Sequence, residues 1–505
     1  MISIIPSATL LGVEGRPVAI EVHVSLGLPG LTIVGLPDAS CREARDRVRA
    51  ALLSSGLPWP TRRVTVNLAP GGVRKGGPGL DVAIAVGLLV AAEELAPECV
   101  EGHGFLGELG LDGSLRPVPG IVPMVAALES RAVVVPAGCE AQAAVVGRHT
   151  VRVARCLRDL VECLRGNEAW PEACKPSHVE PPALWPDLAD VRGQPVGRAA
   201  LEVCAAGGHH LLLSGPPGSG KTMLARRLPG LLPPLEGDDA LDATRVHSAA
   251  GMVLPANGLV VRPPFRAPHH GASAVSLVGG GTAWMRPGEI SLAHGGVLLL
   301  DEMAEFSASV LDTLRQPLEE GVVRVCRARA SVTFPARVLL VGATNPCPCG
   351  IGGPEGSCGC SPAALARYRR RLSGPLLDRF DLRVAVGRPE AGALVAGPAG
   401  EPSVVVAARV ASARQIARQR GYRANAELPA ERLDELAPLA PGAASLLEAR
   451  LRAGLLTGRG FHRVRRVART LADLAGCDGV VGEEHVCLAL GLRGEPAALS
   501  AAAPA

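Results

Sequence analysis

The segment Gly215-Pro216-Pro217-Gly218-Ser219-Gly220-Lys221-Thr222 constrains this chain more than any other. It follows the apolar run Leu211-Leu212-Leu213 and leads into Met223-Leu224-Ala225-Arg226-Arg227-Leu228. A buried strand, a glycine turn and a helix, in that order, are the context in which G-x-x-x-x-G-K-[ST] holds phosphate. Glycines let backbone N–H groups curl around phosphate oxygens, and the helix N-terminus adds a favourable dipole. Lys221 is then placed for the β- and γ-phosphates and Thr222 for Mg2+. The competing reading, a plain glycine turn before an amphipathic helix, leaves the acidic motif downstream without a role.

That motif is Val297-Leu298-Leu299-Leu300-Asp301-Glu302. Four consecutive aliphatic residues describe a fully buried parallel strand, so Asp301 is expected at its C-terminal edge, beside the phosphates. A carboxylate there suits hydrated Mg2+. Glu302 is the candidate for polarising the attacking water. Two solvated loop acids are the weaker alternative.

The 505 residues and their apolar content allow two to four domains with sizeable cores. A net charge of +4 neither demands nor excludes a polyanionic partner. Lysine occurs only at Lys75, Lys175 and Lys221, so arginine carries nearly all the positive charge. Aromatics make up 2% of the chain, which argues against extensive stacking of bases on aromatic platforms. No apolar run is long enough to span a membrane and no charged segment precedes an apolar one at the N-terminus, so the expected location is cytoplasmic. In that compartment the fourteen cysteines read as buried thiols or metal ligands rather than disulfides.

Composition and periodicity divide the chain. Residues 1–165 alternate strand-like runs (Ala19 to Val24, Val64 to Leu68, Ala132 to Val135) with helical patterns. One helix is expected near Ala39 to Leu53, with Ala44, Val48, Ala51 and Leu52 on its apolar face. A proline-rich linker, 166–187, precedes an α/β segment at 188–388 that holds the nucleotide motifs. A connector at 389–402 leads to a helical segment at 403–495, and an Ala/Pro-rich tail, 496–505, is expected to be disordered. Cys347-Pro348-Cys349 and Cys358-Gly359-Cys360 put four thiols within fourteen positions. Turns at Pro348 and Gly359 would let them close on a structural Zn2+; reduced free thiols are the alternative.

Long motifs in a fixed order extend the reading. They include Val34-Gly35-Leu36-Pro37-Asp38, Val64-Thr65-Val66-Asn67-Leu68-Ala69-Pro70 and Gly107-Glu108-Leu109-Gly110-Leu111-Asp112-Gly113 in the first third. The central region adds Pro264-Phe265-Arg266-Ala267-Pro268-His269-His270, Arg286-Pro287-Gly288-Glu289-Ile290-Ser291-Leu292-Ala293-His294 and Leu372-Ser373-Gly374-Pro375-Leu376-Leu377-Asp378-Arg379-Phe380. Over nearly the whole chain this set resembles the magnesium-chelatase-like AAA+ ATPases of the ComM (YifB) type.

The resemblance implies an α/β chain with three parts: a Lon-protease-like (ribosomal S5 domain 2-like) N-terminal domain, an AAA+ P-loop core with a helix-2 insert, and a C-terminal helical lid. It implies ATP and Mg2+ as ligands. Asn345, just past the strand-like run Val338 to Gly342, takes the sensor-1 position. Arg379 matches the arginine finger that reaches a neighbouring subunit's nucleotide. Arg459 is the sensor-2 choice, with Arg463 one turn later as the second candidate. A finger acting across subunits implies a ring, and relatives form hexamers. The stretch Val246 to Gly281 resembles the insert whose loops face the pore, so Arg262, Arg266, His269 and His270 become candidates for touching a polyanion; a structural role for the two histidines is the alternative.

Where the Lon-type protease places its serine, this chain has Gly79 in Lys75-Gly76-Gly77-Pro78-Gly79-Leu80-Asp81, and glycine supplies no nucleophile. Lys75, Arg62, Arg63 and Arg74 are then expected to form a basic surface, for phosphates or simply for solvent. The implied function is a homo-hexameric ATPase motor acting on single-stranded or branched DNA, a branch-migration helicase in recombination and natural transformation. The alternative is the motor subunit of a metal-chelatase complex, against which the resemblance sets the N-terminal domain. A third reading, an ATP-dependent protease, is opposed by Gly79.

Overall fold

The computed structural model describes residues 2–72, 75–172, 185–281, 285–327, 330–351, 358–372, 374–395, 397–477 and 479–494. The uninterrupted aliphatic runs become strands of one five-stranded parallel sheet. Its spatial order is Phe265–Arg266, Val297–Leu300, Leu339–Thr344, Leu211–Ser214 and Leu382–Ala385. Leu211 to Leu213 and Val297 to Leu300 are at most 1% exposed, so both faces of the sheet are covered. Helix Pro195–Gly207 supplies part of that cover, opening on proline and ending at Gly208 in the left-handed conformation (φ 69°).

Because every strand runs the same way, the sheet has two chemically different edges. The glycine loop, Asp301 and Asn345 follow the C-terminal strand ends. His209, His210 and Asp381 precede the N-terminal ends of Leu211–Ser214 and Leu382–Ala385. Strands of four residues separate these edges by about 13 Å.

Helices Ser403–Gln419, Pro441–Arg452, Gly458–Leu474 and Glu483–Gly491 form the C-terminal part. Their Val406, Val410, Leu447, Val464 and Val467 share one apolar cluster with Leu201, Ala205, Leu211 and Val384. Inside it, Asp473 accepts from Arg420 Nη1 at 2.6 Å, Asn425 Nδ2 at 2.7 Å and Arg469 Nε at 3.0 Å. Arg469 and Asp473 are both buried, so each depends on the other for its charge balance.

The first third forms two sheets. Ile2–Leu11 pairs antiparallel with Glu14–Ser25, which pairs antiparallel with Arg63–Ala69, and Gly30–Val34 joins parallel at the edge. His103–Phe105, Ala132–Pro136 and Thr150–Ala154 make a small parallel sheet. Helices Ala39–Ser54 and Asp81–Ala91 pack within the apolar cluster of the larger sheet. Asp38 explains one long motif: its carboxylate caps the first helix through Cys41 N–H (2.8 Å) and accepts from Gly77 N–H (3.1 Å). Gly35 explains another position, since a Cβ there would lie 2.3 Å from Leu68 O.

One expectation is corrected here. Lys75 is fully buried rather than part of a basic surface, and its ammonium donates to Pro70 O. It sits in the interior because the 75–81 motif threads between Thr9 and Asp38. Arg62 and Arg63 are exposed; Arg74 and the whole of the expected disordered tail, 496–505, lie outside the described residues. The N-terminal part rests on the core through Gly120 N–H to Ser248 O (2.8 Å) and through Val13 against Val332 and Phe334.

Asp473→Ala should lower the denaturation midpoint, because it strands buried Arg469 and the Arg420 head; the cost is about 3–5 kcal/mol. An unchanged urea midpoint would contradict the charge balance described for this cluster.

Candidate functional site

The glycine loop is shaped by its neighbours as much as by its own residues. A Cβ on Gly215 would lie 2.0 Å from Val386 O, so only glycine lets the loop leave the sheet there. Gly218 (φ 76°) and Gly220 (φ 94°) take left-handed conformations, and Gly220 opens the helix that begins at Lys221. Lys221 is buried and donates to Gly215 O (2.8 Å), Pro216 O (2.9 Å) and Asn345 Oδ1 (3.2 Å). Burial lowers its pKa, while Asp301 and Glu302 work in the opposite direction. Ser219 Oγ is buried with no hydrogen-bond partner among the described residues. An ammonium and an unpaired hydroxyl in a glycine cradle match an oligophosphate in charge and donor chemistry.

Thr222 Oγ1 donates to Asp301 Oδ2 at 2.8 Å, so the two candidate Mg2+ ligands are already in contact. Glu302 follows with φ 51°, a strained conformation for a side chain, and its N–H donates to Asp301 Oδ1 at 3.0 Å. Its carboxylate Oε2 lies 3.3 Å from His270 Nδ1. Asn345 is held from behind by Tyr368, whose hydroxyl donates to Asn345 O at 3.1 Å. Lys221, Thr222, Asp301, Glu302 and Asn345 therefore meet on one edge of the sheet.

The arginines do not join them. Arg379 is mostly buried and paired with Glu319, and Arg463 donates to Arg379 O at 3.0 Å while also pairing with Asp381. Burial lowers the Arg379 pKa, as do the cations of Arg463, Arg459 and Arg315. Burial pushes the Asp381 carboxyl up, but His209, whose Nδ1 lies 3.5 Å from Asp381 Oδ2, and the charge of Arg463 override it and hold the group well below the usual range. Arg459 is exposed on the first turn of Gly458–Leu474. Arg379, Arg459 and Arg463 thus stand at the sheet edge opposite Lys221 of the same chain.

The segment expected as an insert is partly core. Phe265–Arg266 is the edge strand, and Arg266 makes a bidentate pair with Glu289 (2.6 and 2.7 Å), so its guanidinium is committed inside the fold. The segment also carries helix Ala274–Val278, whose Leu277 is buried in the core, and the short ladder Gly279–Gly280 with Arg286–Pro287. A second hairpin, Val322–Arg327 with Ala330–Pro335, was not anticipated. Its signal was the alternation of buried Val323 and Val325 with exposed Arg324, Cys326 and Arg327. The Arg327 head lies beside Gly280, bringing the two hairpins together, and Arg286 and Arg327 are both exposed.

Cys347, Cys349, Cys358 and Cys360 converge, with all four Sγ atoms within 4.8 Å of one another. This geometry is compatible with a structural metal. The Cys349 thiol is drawn down to about 6, first by the Ile351 backbone N–H and then by its sulfur neighbours.

Family models agree with this layout. One described as magnesium chelatase, subunit ChlI, matches residues 187–394; one described as subunit ChlI of Mg-chelatase matches 20–138; and one for the ChlI C-terminal part matches 400–493. Fold and site therefore define a magnesium-chelatase-type α/β protein with an AAA+-like core. An uncharacterized protein of Mycobacterium tuberculosis is 46% identical over 496 residues, covering 96% of this chain and 97% of its own length. Competence protein ComM of Haemophilus influenzae is 42% identical over 500 residues, with 97% of each chain covered, and YifB of Escherichia coli is 42% identical over 496 residues, again with 97% of each covered. The chain belongs to the ComM/YifB family of magnesium-chelatase-like proteins. A more distant match, 27% identical over 35% of this chain and 22% of the other, is to an Arabidopsis thaliana protein described as "Probable DNA helicase MCM9". Since a ChlI-described model also matches 20–138, the N-terminal part does not by itself separate a DNA motor from a chelatase motor.

Lys221→Ala should weaken binding of a fluorescent ATP analogue by about tenfold to a hundredfold, the worth of one charged hydrogen bond. Equal affinity in the variant would remove Lys221 from the phosphate site.

Proposed function

We propose that the chain is an ATP-hydrolysing ring motor that acts on DNA, in the manner of a branch-migration helicase. The observation that carries this reading is the division of the hydrolytic set between two edges of one sheet. Lys221, Thr222, Asp301, Glu302 and Asn345 bind, orient and activate on one edge; Arg379 and Arg463 stand at the other edge, across strands about 13 Å long. A guanidinium placed there serves the nucleotide of the next subunit, which makes a closed homo-hexamer the natural assembly.

In this reading the loop N–H groups and Lys221 hold the phosphates, and Thr222 and Asp301 hold Mg2+, which supplies charge neutralisation when bound. Glu302 polarises water, and Asn345 orients it without adding charge. Glu319 is the resting partner that the neighbour's γ-phosphate displaces from Arg379. Arg459, exposed on the first turn of its helix, is the sensor-2 candidate at that same interface, with Arg463, already held by Asp381, as the alternative. Residues 1–165 act as a Lon-like domain without a nucleophile, a reading supported by Gly79 and by the buried Lys75. The two adjoining hairpins, with exposed Arg286 and Arg327, line the substrate side, replacing Arg266 in that role. His270 lies 3.3 Å from Glu302, so a polyanion that touched His270 would be felt at the general base. A cytoplasmic location accords with the described residues, in which no helix is long and apolar enough to cross a membrane.

Glu302→Gln should bind ATP and fail to turn it over. Arg379→Ala should bind ATP and hydrolyse little of it, yet mixing it with Lys221→Ala protein should restore turnover at interfaces that pair one intact loop with one intact arginine. Mixtures that never recover would remove the arginine from a neighbour's site.

DNA affinity should fall steeply with salt, as expected when arginines release condensed counterions. Arg286→Ala/Arg327→Ala should lose DNA stimulation of ATP turnover while keeping the basal rate. If no single-stranded, duplex or branched DNA binds or stimulates at low salt, the metal-chelatase motor becomes the better reading.

A further inference from the structure

The four cysteines occupy a place that the ATPase roles leave unexplained. Cys347 Sγ lies 3.2 Å from Cys349 Sγ and 3.5 Å from Cys358 Sγ, and Cys349 lies 3.4 Å from Cys358. A tetrahedral thiolate site with Zn–S bonds of about 2.3 Å has sulfur–sulfur edges of about 3.8 Å. These separations approach that figure and are far from the roughly 2.05 Å of a disulfide. Cys347 is buried while Cys358 and Cys360 are half-buried, so the cluster is anchored at one end and open to ion entry at the other.

Its surroundings define a task. Cys347 stands two residues after Asn345, and Cys360 two residues before helix Pro362–Arg371. That helix carries Tyr368, which holds Asn345 O, and Arg371, which donates to Ala304 O at 3.0 Å and pairs with Glu305 at 2.8 Å beyond the acidic motif. Between the two cysteine pairs, Gly350 (φ 79°) presses on the phosphate loop so closely that an added Cβ would lie 2.7 Å from Pro217 Cγ. Apolar packing is thin here, since Ile351 and Cys349 are exposed. A segment with so little core needs a staple to hold Asn345 against Lys221.

We propose that Cys347, Cys349, Cys358 and Cys360 bind one structural Zn2+, and that this ion fixes the position of Asn345 in the nucleotide site. The four cysteines are thus positioning residues, acting through Asn345 and Tyr368. The positioning role rests on the ATPase reading; the metal site does not.

The test uses the full-length protein purified without chelator. Elemental analysis should find about one zinc per chain, and Cys347→Ser/Cys358→Ser should lose it. Protein loaded with Co2+ in place of zinc should show the thiolate charge-transfer and visible bands of a tetrahedral site. Loss of the metal should cut ATP turnover by about tenfold to a hundredfold while Lys221-dependent nucleotide binding survives. Cys349→His, which keeps a ligand at the exposed corner, should retain metal and much of the turnover, and it answers the objection that the double variant misfolds. Wild-type protein without zinc and without the cobalt spectrum overturns the site. Zinc that can be removed with no change in turnover overturns the positioning role.

Discussion

The parallel alignment of five short strands is the constraint on which the rest of the molecule depends. The three inner strands are buried on both faces, so charged chemistry is expelled to the strand ends and the sheet margins, and common polarity gives the ends two distinct characters. Lys221, Asp301 and Asn345 come together because three separate strands stop at the same level. His209, His210 and Asp381 come together because Leu211–Ser214 and Leu382–Ala385 start at the same level.

The starting edge is a buried polar junction. His210 Nδ1 accepts from Leu340 N–H at 3.1 Å, and burial pushes that imidazole down to about 4, which keeps it a neutral acceptor. His209 Nε2 meets Thr470 Oγ1 at 2.8 Å, and Arg493 donates to Phe380 O at 2.9 Å and Asp381 O at 3.1 Å. The core, the segment Arg379 to Asp381 and the C-terminal helices are therefore joined by one network rather than by apolar contact alone.

Much of the site was legible because its signals are local. A glycine loop, an aliphatic run ending in two acids and four closely spaced cysteines each state their chemistry within a few residues. The misreadings all concern partners distant in sequence. Arg266 looked available until Glu289, on a later helix, was seen to grip it. Lys75 stood among arginines and glycines, letters that say nothing about the walls that enclose it. The paired strands Val322–Arg327 and Ala330–Pro335 alternate as a strand pair should, yet the sequence between them has no Asn-Gly or Asp-Gly to signal a hairpin. The opposite-edge placement of Arg379, Arg459 and Arg463 is a property of sheet polarity, visible only once the strands are assembled.

The hydrogen bond from Arg463 to the carbonyl of Arg379 has a mechanical meaning. It fastens the seventeen-residue helix to the segment bearing Arg379 and Asp381, and about two turns further on Thr470 of the same helix meets His209. A helix pinned at two points behaves as a lever, not a hinge. In a ring built as proposed, tilting the C-terminal helices of one subunit would displace the cation serving the adjoining nucleotide. Firing order around such a ring would then be set by stiffness, each subunit cocking the trigger of the next.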